Sequence, residues 1–205
     1  MIERIVFATG NQGKMKEIKM ILGDLDLPVL SMKEAGIQTD VEENGTSFEE
    51  NAMIKARIVQ KLCPGDVVLA DDSGLEIDFL DKAPGIYSAR YMGETTPYDI
   101  KNAKILELMK DVPEEKRTAR FVCVIAAALP DGEVLTSRGV MEGKIAFSVA
   151  GENGFGYDPI FWLDECGCTS AEITPEKKNE LSHRGKALRE MKEQLKNQLM
   201  REIRE

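Results

Sequence analysis

The sequence contains few of the residues that bind transition metals or form disulfides, and this limits the classes of protein to which it can belong. Its 205 residues include one histidine, one tryptophan and four cysteines. Cys63 and Cys123 lie in apolar or helical patterns, so they are predicted to be reduced thiols in a core. Cys166 and Cys168 form a CxC pair, but His183 is the only histidine that could join them. A structural zinc site is therefore not expected.

Long apolar segments are also missing. No run approaches the roughly 20 residues that cross a bilayer, and no signal-peptide segment precedes the first predicted strand. We therefore expect a cytoplasmic protein that does not enter a membrane. The net charge of −9 argues against non-specific binding to nucleic acid or to an anionic membrane surface. A polyanionic ligand would need a local group of donors or a divalent cation.

No repeat, low-complexity tract or linker divides the chain, and its 42% hydrophobic content is sufficient for a core. We predict one α/β domain over residues 1–205. Strands are predicted at residues 5–8, 29–30, 67–70, 120–129 and 159–163, and helices at residues 15–22, 48–62, 99–109 and from 188 onward. A turn at Pro130–Gly132 predicts a hairpin partner at residues 133–145, so the sheet should be mixed. An apolar stripe on the last helix, expected to serve core or dimer packing, comprises Met191, Leu195, Leu199 and Ile203.

The stretch FATGNQGKMKEI, residues 7–18, places a glycine-rich turn between the first strand and the first helix. Backbone N–H groups at a helix start lack internal partners, and Lys14 adds a positive charge, so the turn could bind a phosphate. It does not match a Walker A loop, because the spacing is one residue short and methionine follows the lysine. An ordinary strand-to-helix turn is the alternative.

Two acidic stretches could supply metal ligands or a general base. In ADDSG, residues 70–74, apolar residues lead to Asp71 and Asp72, which should point in opposite directions, and Ser73-Gly74 is predicted to turn the chain. The alternatives are an Asx-type turn and a magnesium ligand or base, and residues 75–79 are either a further strand or an extension of this one. In VEENGTSFEENA, residues 41–52, Thr46 or Ser47 could cap a helix. The preceding Glu42 and Glu43 are not needed for that cap.

Two later stretches could bind a flat or carbonyl-rich ligand. GENGFGYDPIFW, residues 151–162, combines three glycines with aromatic residues, and Phe155 could stack on a ring or simply pack. PEKKNELSHRGKAL, residues 175–188, is the densest cationic stretch in the chain. Ser182 could cap the last helix, while His183 and Arg184 in its first turn could donate hydrogen bonds to a ligand.

Taken together, the motifs ATGNQGK, ENGTSFEENA, ADDSGL, APGIYSARY, GFGYDPIF and SHRGKAL resemble the inosine triphosphate pyrophosphatase family over nearly the whole chain. The resemblance implies an elongated mixed β-sheet flanked by helices, in two lobes with a central substrate cleft, and a cytosolic homodimer. It also implies magnesium-dependent hydrolysis of ITP, dITP or XTP to the monophosphate and pyrophosphate. A sensor without turnover and a house-cleaning pyrophosphatase for modified pyrimidine nucleotides are the alternatives.

The resemblance also implies roles for individual residues. Asp72 would bind Mg²⁺ and accept the proton from water, and Glu42 is preferred to Glu43 as the second metal ligand. The triphosphate would contact the turn formed by Thr9, Gly10, Asn11, Gln12, Gly13 and Lys14. The other substrate contacts would be Ser73, Phe155, Gly156, Tyr157, Asp158, Lys178, His183 and Arg184. Donors at His183 and Arg184 would accept a purine with a 6-oxygen and reject adenine.

Overall fold

The computed structural model describes residues 2–25 and 27–202, and within them seven strands form one sheet in the order β2-β1-β3-β4-β5-β6-β7. The strands are β1 (Ile5–Phe7), β2 (Val29–Ser31), β3 (Val67–Ile77), β4 (Thr118–Ala128), β5 (Val134–Ile145), β6 (Phe161–Leu163) and β7 (Cys168–Thr169). Strand β1 pairs in parallel with β2 and β3, whereas β6 pairs antiparallel with β5 and β7. The predicted mixed α/β sheet is therefore confirmed.

The helices agree with the predicted helical segments and add one short helix. They are α1 (Gln12–Leu22), α2 (Phe48–Gln60), α3 (Tyr98–Leu108), α4 (Pro175–Leu181) and α5 (His183–Glu202). Short 3₁₀ segments cover Asp78–Leu80, Gly85–Arg90, Glu114–Lys116 and Asp158–Ile160. The last of these explains why β6 begins later than predicted, since Pro159 has no N–H to donate to a strand partner.

The chain divides into two compact units. The first comprises Met1–Asp72, Cys123–Gly139 and Arg184–Glu205, and the second comprises Ser73–Val122 and Val140–His183. The chain passes between units inside β3, β4 and β5 and again at the start of α5. The assignment of residues 1–205 to a single domain stays a prediction.

Each unit has its own apolar core. In the first unit, Phe7 of β1, Ile18 of α1 and Leu69 of β3 are fully buried in one cluster. Met191 and Leu195 of α5 belong to that cluster and Leu199 packs against it, while the predicted stripe residue Ile203 lies outside the described residues. In the second unit, the cluster is Leu75, Ile77, Ile105, Met109, Val112, Ala119, Phe121, Met141, Ile145, Tyr157, Ile160, Phe161, Leu163 and Ile173.

The predicted turn at Ser73-Gly74 is wrong, because β3 continues without interruption from Val67 to Ile77. The strand is thus extended, and no Asx-type turn follows the two aspartates. Gly74 serves a close contact instead: a Cβ at this position would lie 2.2 Å from the Gly85 carbonyl oxygen and 2.6 Å from Ser88 Oγ. The same Ser88 hydroxyl accepts a hydrogen bond from Leu75 N at 2.8 Å.

No helix within residues 2–25 and 27–202 is both long enough and apolar enough to span a bilayer.

Candidate active site

The turn between β1 and α1 is shorter than predicted. Helix α1 already begins at Gln12, so Gly13 and Lys14 lie in its first turn, and Asn11 is the N-cap whose side chain accepts a hydrogen bond from Lys14 N. The buried Thr9 turns the chain towards the helix, since its Oγ1 accepts a hydrogen bond from Asn11 N at 3.1 Å. Gly10 lies exposed at the tip of this turn. The turn therefore presents the N-terminal end of α1, the element that an anion would contact.

Asp71 is the centre of a buried ion-pair network in the first unit. Its Oδ2 lies 2.9 Å from Lys14 Nζ and 3.5 Å from Arg184 Nε, and Arg184 Nη1 in turn contacts Glu17 at 2.8 Å. Burial alone would raise the pKa of Asp71, but the charges of Lys14, Arg184 and Lys55 hold the pKa well below its usual range. Asp71 is therefore a permanent anion that orients two cations.

Asp72, the next residue, has the opposite electrostatic character. Its side chain is buried, and burial is the main reason that its pKa is raised from 3.8 to about 6. A hydrogen bond from Asn51 Nδ2 to Asp72 Oδ2 at 3.0 Å opposes this shift, whereas the charge of Glu43 adds to it. Two neighbouring carboxylates are thus divided into one held as an anion and one able to exchange a proton near neutral pH.

The acidic loop before α2 brings Glu43 to this region. Glu43 forms an ion pair with Lys55, whose Nζ also donates a hydrogen bond to the Asp71 carbonyl oxygen at 3.0 Å. Glu42 is exposed. The preference for Glu42 as a second metal ligand therefore stays a prediction, and these contacts favour its rival, Glu43.

The donor set suits a hard divalent cation that is completed by other oxygens. The described residues contain no group of three or more His, Cys, Asp or Glu side chains that could hold a metal on its own. Asp72 and Glu43 are two carboxylates within electrostatic reach of each other. Mg²⁺ commonly binds through one or two carboxylates plus water and substrate phosphates, so these residues fit Mg²⁺.

Sequence reasoning missed Asn51 and Lys55. Both lie on α2 and are separated by one helical turn, so they face the same side, where Asn51 contacts Asp72 and Lys55 contacts Glu43. Asn51 is completely buried. The i, i+4 spacing of two polar residues on the otherwise apolar face of Ala52, Ala56 and Val59 could have identified them.

The structure also distinguishes the two candidate caps of α2. Ser47 is the N-cap, since its Oγ accepts a hydrogen bond from Glu50 N, and the Glu50 carboxylate accepts one from Thr46 N.

In the second unit, the glycine-aromatic loop is organised by a buried carboxylate. Asp158, with 3% of its surface exposed, accepts hydrogen bonds from Phe155 N at 2.8 Å and Ser170 Oγ at 3.0 Å. It also forms an ion pair with the buried Lys178, whose Nζ lies 4.8 Å from the Phe155 ring centroid. The Phe155 side chain remains 38% exposed and could stack on a planar ligand.

The remaining residues of this loop are used for packing. Tyr157 is buried, packs edge-on against Tyr98 at 5.2 Å between ring centroids, and donates its hydroxyl proton to the Ser88 carbonyl. Asn102 Nδ2 donates a hydrogen bond to the Gly156 carbonyl at 3.1 Å. These contacts hold the loop in place, so a direct substrate contact by Tyr157 or Gly156 stays a prediction.

His183 and Arg184, the predicted base donors, belong to different units. His183 is buried in the second unit and stacks on Phe121 with 4.9 Å between ring centroids. Arg184 is only 2% exposed, and its guanidinium contacts Asp71 and Glu17 as described above. Ser73 is half-buried in β3, directly after Asp72. The substrate contacts assigned to these three residues stay predictions.

Comparison with known proteins gives matches over nearly the whole chain. A model of the Ham1 family matches residues 5–194. The chain is 47% identical over 200 residues to a dITP/XTP pyrophosphatase of Clostridium perfringens (strain 13 / Type A), covering 95% of this chain and 98% of that protein. Among solved structures, a HAM1 protein from Coxiella burnetii gives a TM-score of 0.87 at 41% identity, covering 96% of this chain and 100% of that chain. The Staphylococcus aureus Ham1 protein gives 0.86 at 40% identity with the same coverage.

Proposed function

Because the chain belongs to the Ham1 family, we propose that it hydrolyses non-standard purine nucleoside triphosphates such as ITP, dITP and XTP. The products are the nucleoside monophosphate and pyrophosphate. A relative of nearly equal length that is named a dITP/XTP pyrophosphatase supports this substrate class. Such an enzyme removes these nucleotides from the precursor pool.

The observation that carries the proposal is the contrast between Asp71 and Asp72. A general base for water must be ionised before the reaction and must accept a proton during it, which is most effective when its pKa lies near the working pH. Burial raises the pKa of Asp72 to about 6, whereas the cations around Asp71 keep the pKa of that carboxyl far lower. Asp72 is therefore the residue to which we assign proton transfer.

Cationic side chains in the first unit support binding of the phosphates. Lys14 and Lys55 lie beside Asp71, and Lys14 stands in the first turn of α1. In the reaction, negative charge develops on the pyrophosphate leaving group, and fixed cations lower the barrier by stabilising that charge. We assign the triphosphate to the turn at residues 9–14 and to these two lysines.

Mg²⁺ is the cofactor that the donor set fits, and we assign it to Asp72 and Glu43. When bound, it would neutralise phosphate charge and polarise the phosphorus that water attacks. Asp72 would then be shared between metal binding and proton transfer, while Lys55 orients Glu43 through their ion pair.

Base recognition is assigned to residues of the second unit and to Arg184. Phe155 offers an exposed aromatic face beside Lys178, and Asp158 fixes the backbone of Phe155 by accepting a hydrogen bond from its N–H. His183 and Arg184 keep the predicted role of donors to the 6-oxygen of hypoxanthine or xanthine. We further propose that the protein acts in the cytoplasm as a homodimer.

A panel of nucleotides with direct detection of pyrophosphate tests this proposal. The panel contains ITP, dITP, XTP, ATP, GTP and a modified pyrimidine triphosphate, each assayed with and without Mg²⁺. We expect turnover of the first three, and an Asp72→Asn control that binds ITP but is about 10²–10⁴-fold slower. Preference for the pyrimidine would support the alternative house-cleaning activity, and ITP binding without turnover would indicate a sensor.

A further inference from the structure

Asn51 is the fully buried polar side chain that connects the two acidic segments of the first unit. It lies in the first turn of α2, and none of its surface is exposed. Its Nδ2 donates to Asp72 Oδ2 at 3.0 Å, and its Oδ1 accepts from Gly45 N at 2.8 Å. A buried polar group with both ends bonded is costly to replace, since removing one partner leaves the other unsatisfied.

The orientation of this amide follows from the chemistry of its partners. Gly45 N–H can only donate, so the Asn51 carbonyl must face it, and the NH₂ group must then face Asp72. The contact with Asp72 is therefore a hydrogen bond from a neutral donor to a carboxylate oxygen. This bond restricts the rotation of the carboxylate about its last bond.

The contact with the loop is equally close. A Cβ at Gly45 would lie 2.7 Å from Asn51 Oδ1, so only glycine allows the backbone to approach the amide this closely. Gly45 follows Glu43 by two residues, and Lys55, one turn beyond Asn51 on the same helix, forms an ion pair with Glu43. Helix α2 thus holds the acidic loop at two points and Asp72 at one.

We infer that Asn51 is a positioning residue for the reaction proposed above: its amide fixes the Asp72 carboxylate and joins it to the loop that carries Glu43. The inference rests on the proposed hydrolysis of ITP-type substrates. Asn51 would not contact the reacting atoms itself. Its effect on turnover would pass through Asp72, because near-attack geometry is lost when a catalytic group can rotate.

The experiment compares Asn51→Ala in the wild-type protein with Asn51→Ala in Asp72→Asn, using ITP and Mg²⁺. If the amide acts through Asp72, Asn51→Ala should lower kcat about ten- to a hundredfold in the wild-type protein, with little change in KM. In the Asp72→Asn background, the same substitution should lower kcat less than about threefold. An equal loss in both backgrounds would mean that Asn51 supports only the fold, and it would overturn the inference.

Two further variants keep the test valid if Asn51→Ala does not fold. Asn51→Asp preserves the acceptor for Gly45 N but places a second carboxylate against Asp72, so it should lower kcat at least as strongly. Asn44→Asp adds the same charge at an exposed position of the same loop and should leave kcat within about twofold. Equal kcat values for these two variants would overturn the inference. Failure of the wild type to hydrolyse ITP would instead overturn the proposed function.

Discussion

Asp71→Asn and Asp72→Asn, two adjacent substitutions of the same size, are expected to change the free energy of unfolding in opposite directions. Asp71 forms buried ion pairs with Lys14 and Arg184, so its loss leaves two cations without their central anion. Breaking such a pair typically costs about 3–5 kcal/mol. Asp72 is buried as an ion at neutral pH, and its replacement by an amide removes that cost.

The magnitude for Asp72 follows from its pKa. Burial raises this pKa from 3.8 to about 6, and each unit corresponds to about 1.4 kcal/mol, so the ionised side chain destabilises the metal-free protein by at most about 3 kcal/mol. Asp72→Asn should recover part of this, roughly 1–3 kcal/mol, because Asn51 can still donate to the amide oxygen. The assay is urea unfolding at pH 8 in EDTA, which removes any metal that would stabilise the carboxylate.

The two substitutions should also differ in pH dependence. The folded-state pKa of Asp72 lies above its unfolded value, so the cost of the ionised form appears as the pH rises from about 4 through about 6. The advantage of Asp72→Asn should be full at pH 8 and absent below about pH 4. The pKa of Asp71 is lowered, so its stabilising contribution is complete above about pH 4 and is lost only in stronger acid. If both variants are destabilised equally, or if the effect of Asp72→Asn does not vary with pH, the assignment of the two environments is wrong.

Two further predictions concern the second unit and the base donors. Gly154→Ala places a Cβ 2.2 Å from Asp158 Oδ2 at a φ of +79°, so it should raise KM for ITP at least about tenfold, whereas Gly132→Ala, with a φ of +92° but open space around it, should not. His183→Ala and Arg184→Ala should each lower the ITP/ATP ratio of kcat/KM about ten- to a hundredfold, and Arg184→Ala should also lower the melting temperature because it breaks the buried pairs with Asp71 and Glu17. Unchanged ratios in both variants would contradict the predicted base pocket.

Local patterns predicted most of the longer helices and strands but not the partners of the side chains. The apolar periodicity predicted α1, α2 and the long strand β4, because burial imposes that periodicity directly. The Ser73-Gly74 dipeptide suggested a turn. Glycine is instead required at position 74 because the Gly85 carbonyl packs against it, a contact that the sequence does not reveal. Tertiary contacts of this kind override local turn preference.

The site shows the same division. The motifs identified Asp72, Lys14 and Lys178 as candidates, but the sequence could not show that Lys178 pairs with Asp158 or that Lys14 pairs with Asp71. The family resemblance favoured Glu42 over Glu43, whereas the sequence pattern alone could not distinguish two adjacent loop carboxylates, of which the fold leaves Glu42 exposed. The contacts of Asn51 and Lys55 depend on which face of α2 meets β3, which is settled by packing.

The position of water attack tests the central claim most directly. Hydrolysis of ITP in ¹⁸O-labelled water, followed by mass spectrometry of the products, identifies the phosphorus that receives the new oxygen. Attack at the α-phosphorus predicts one ¹⁸O in IMP and none in pyrophosphate, without IDP at any time. Label in pyrophosphate, or IDP together with labelled orthophosphate, would contradict the account.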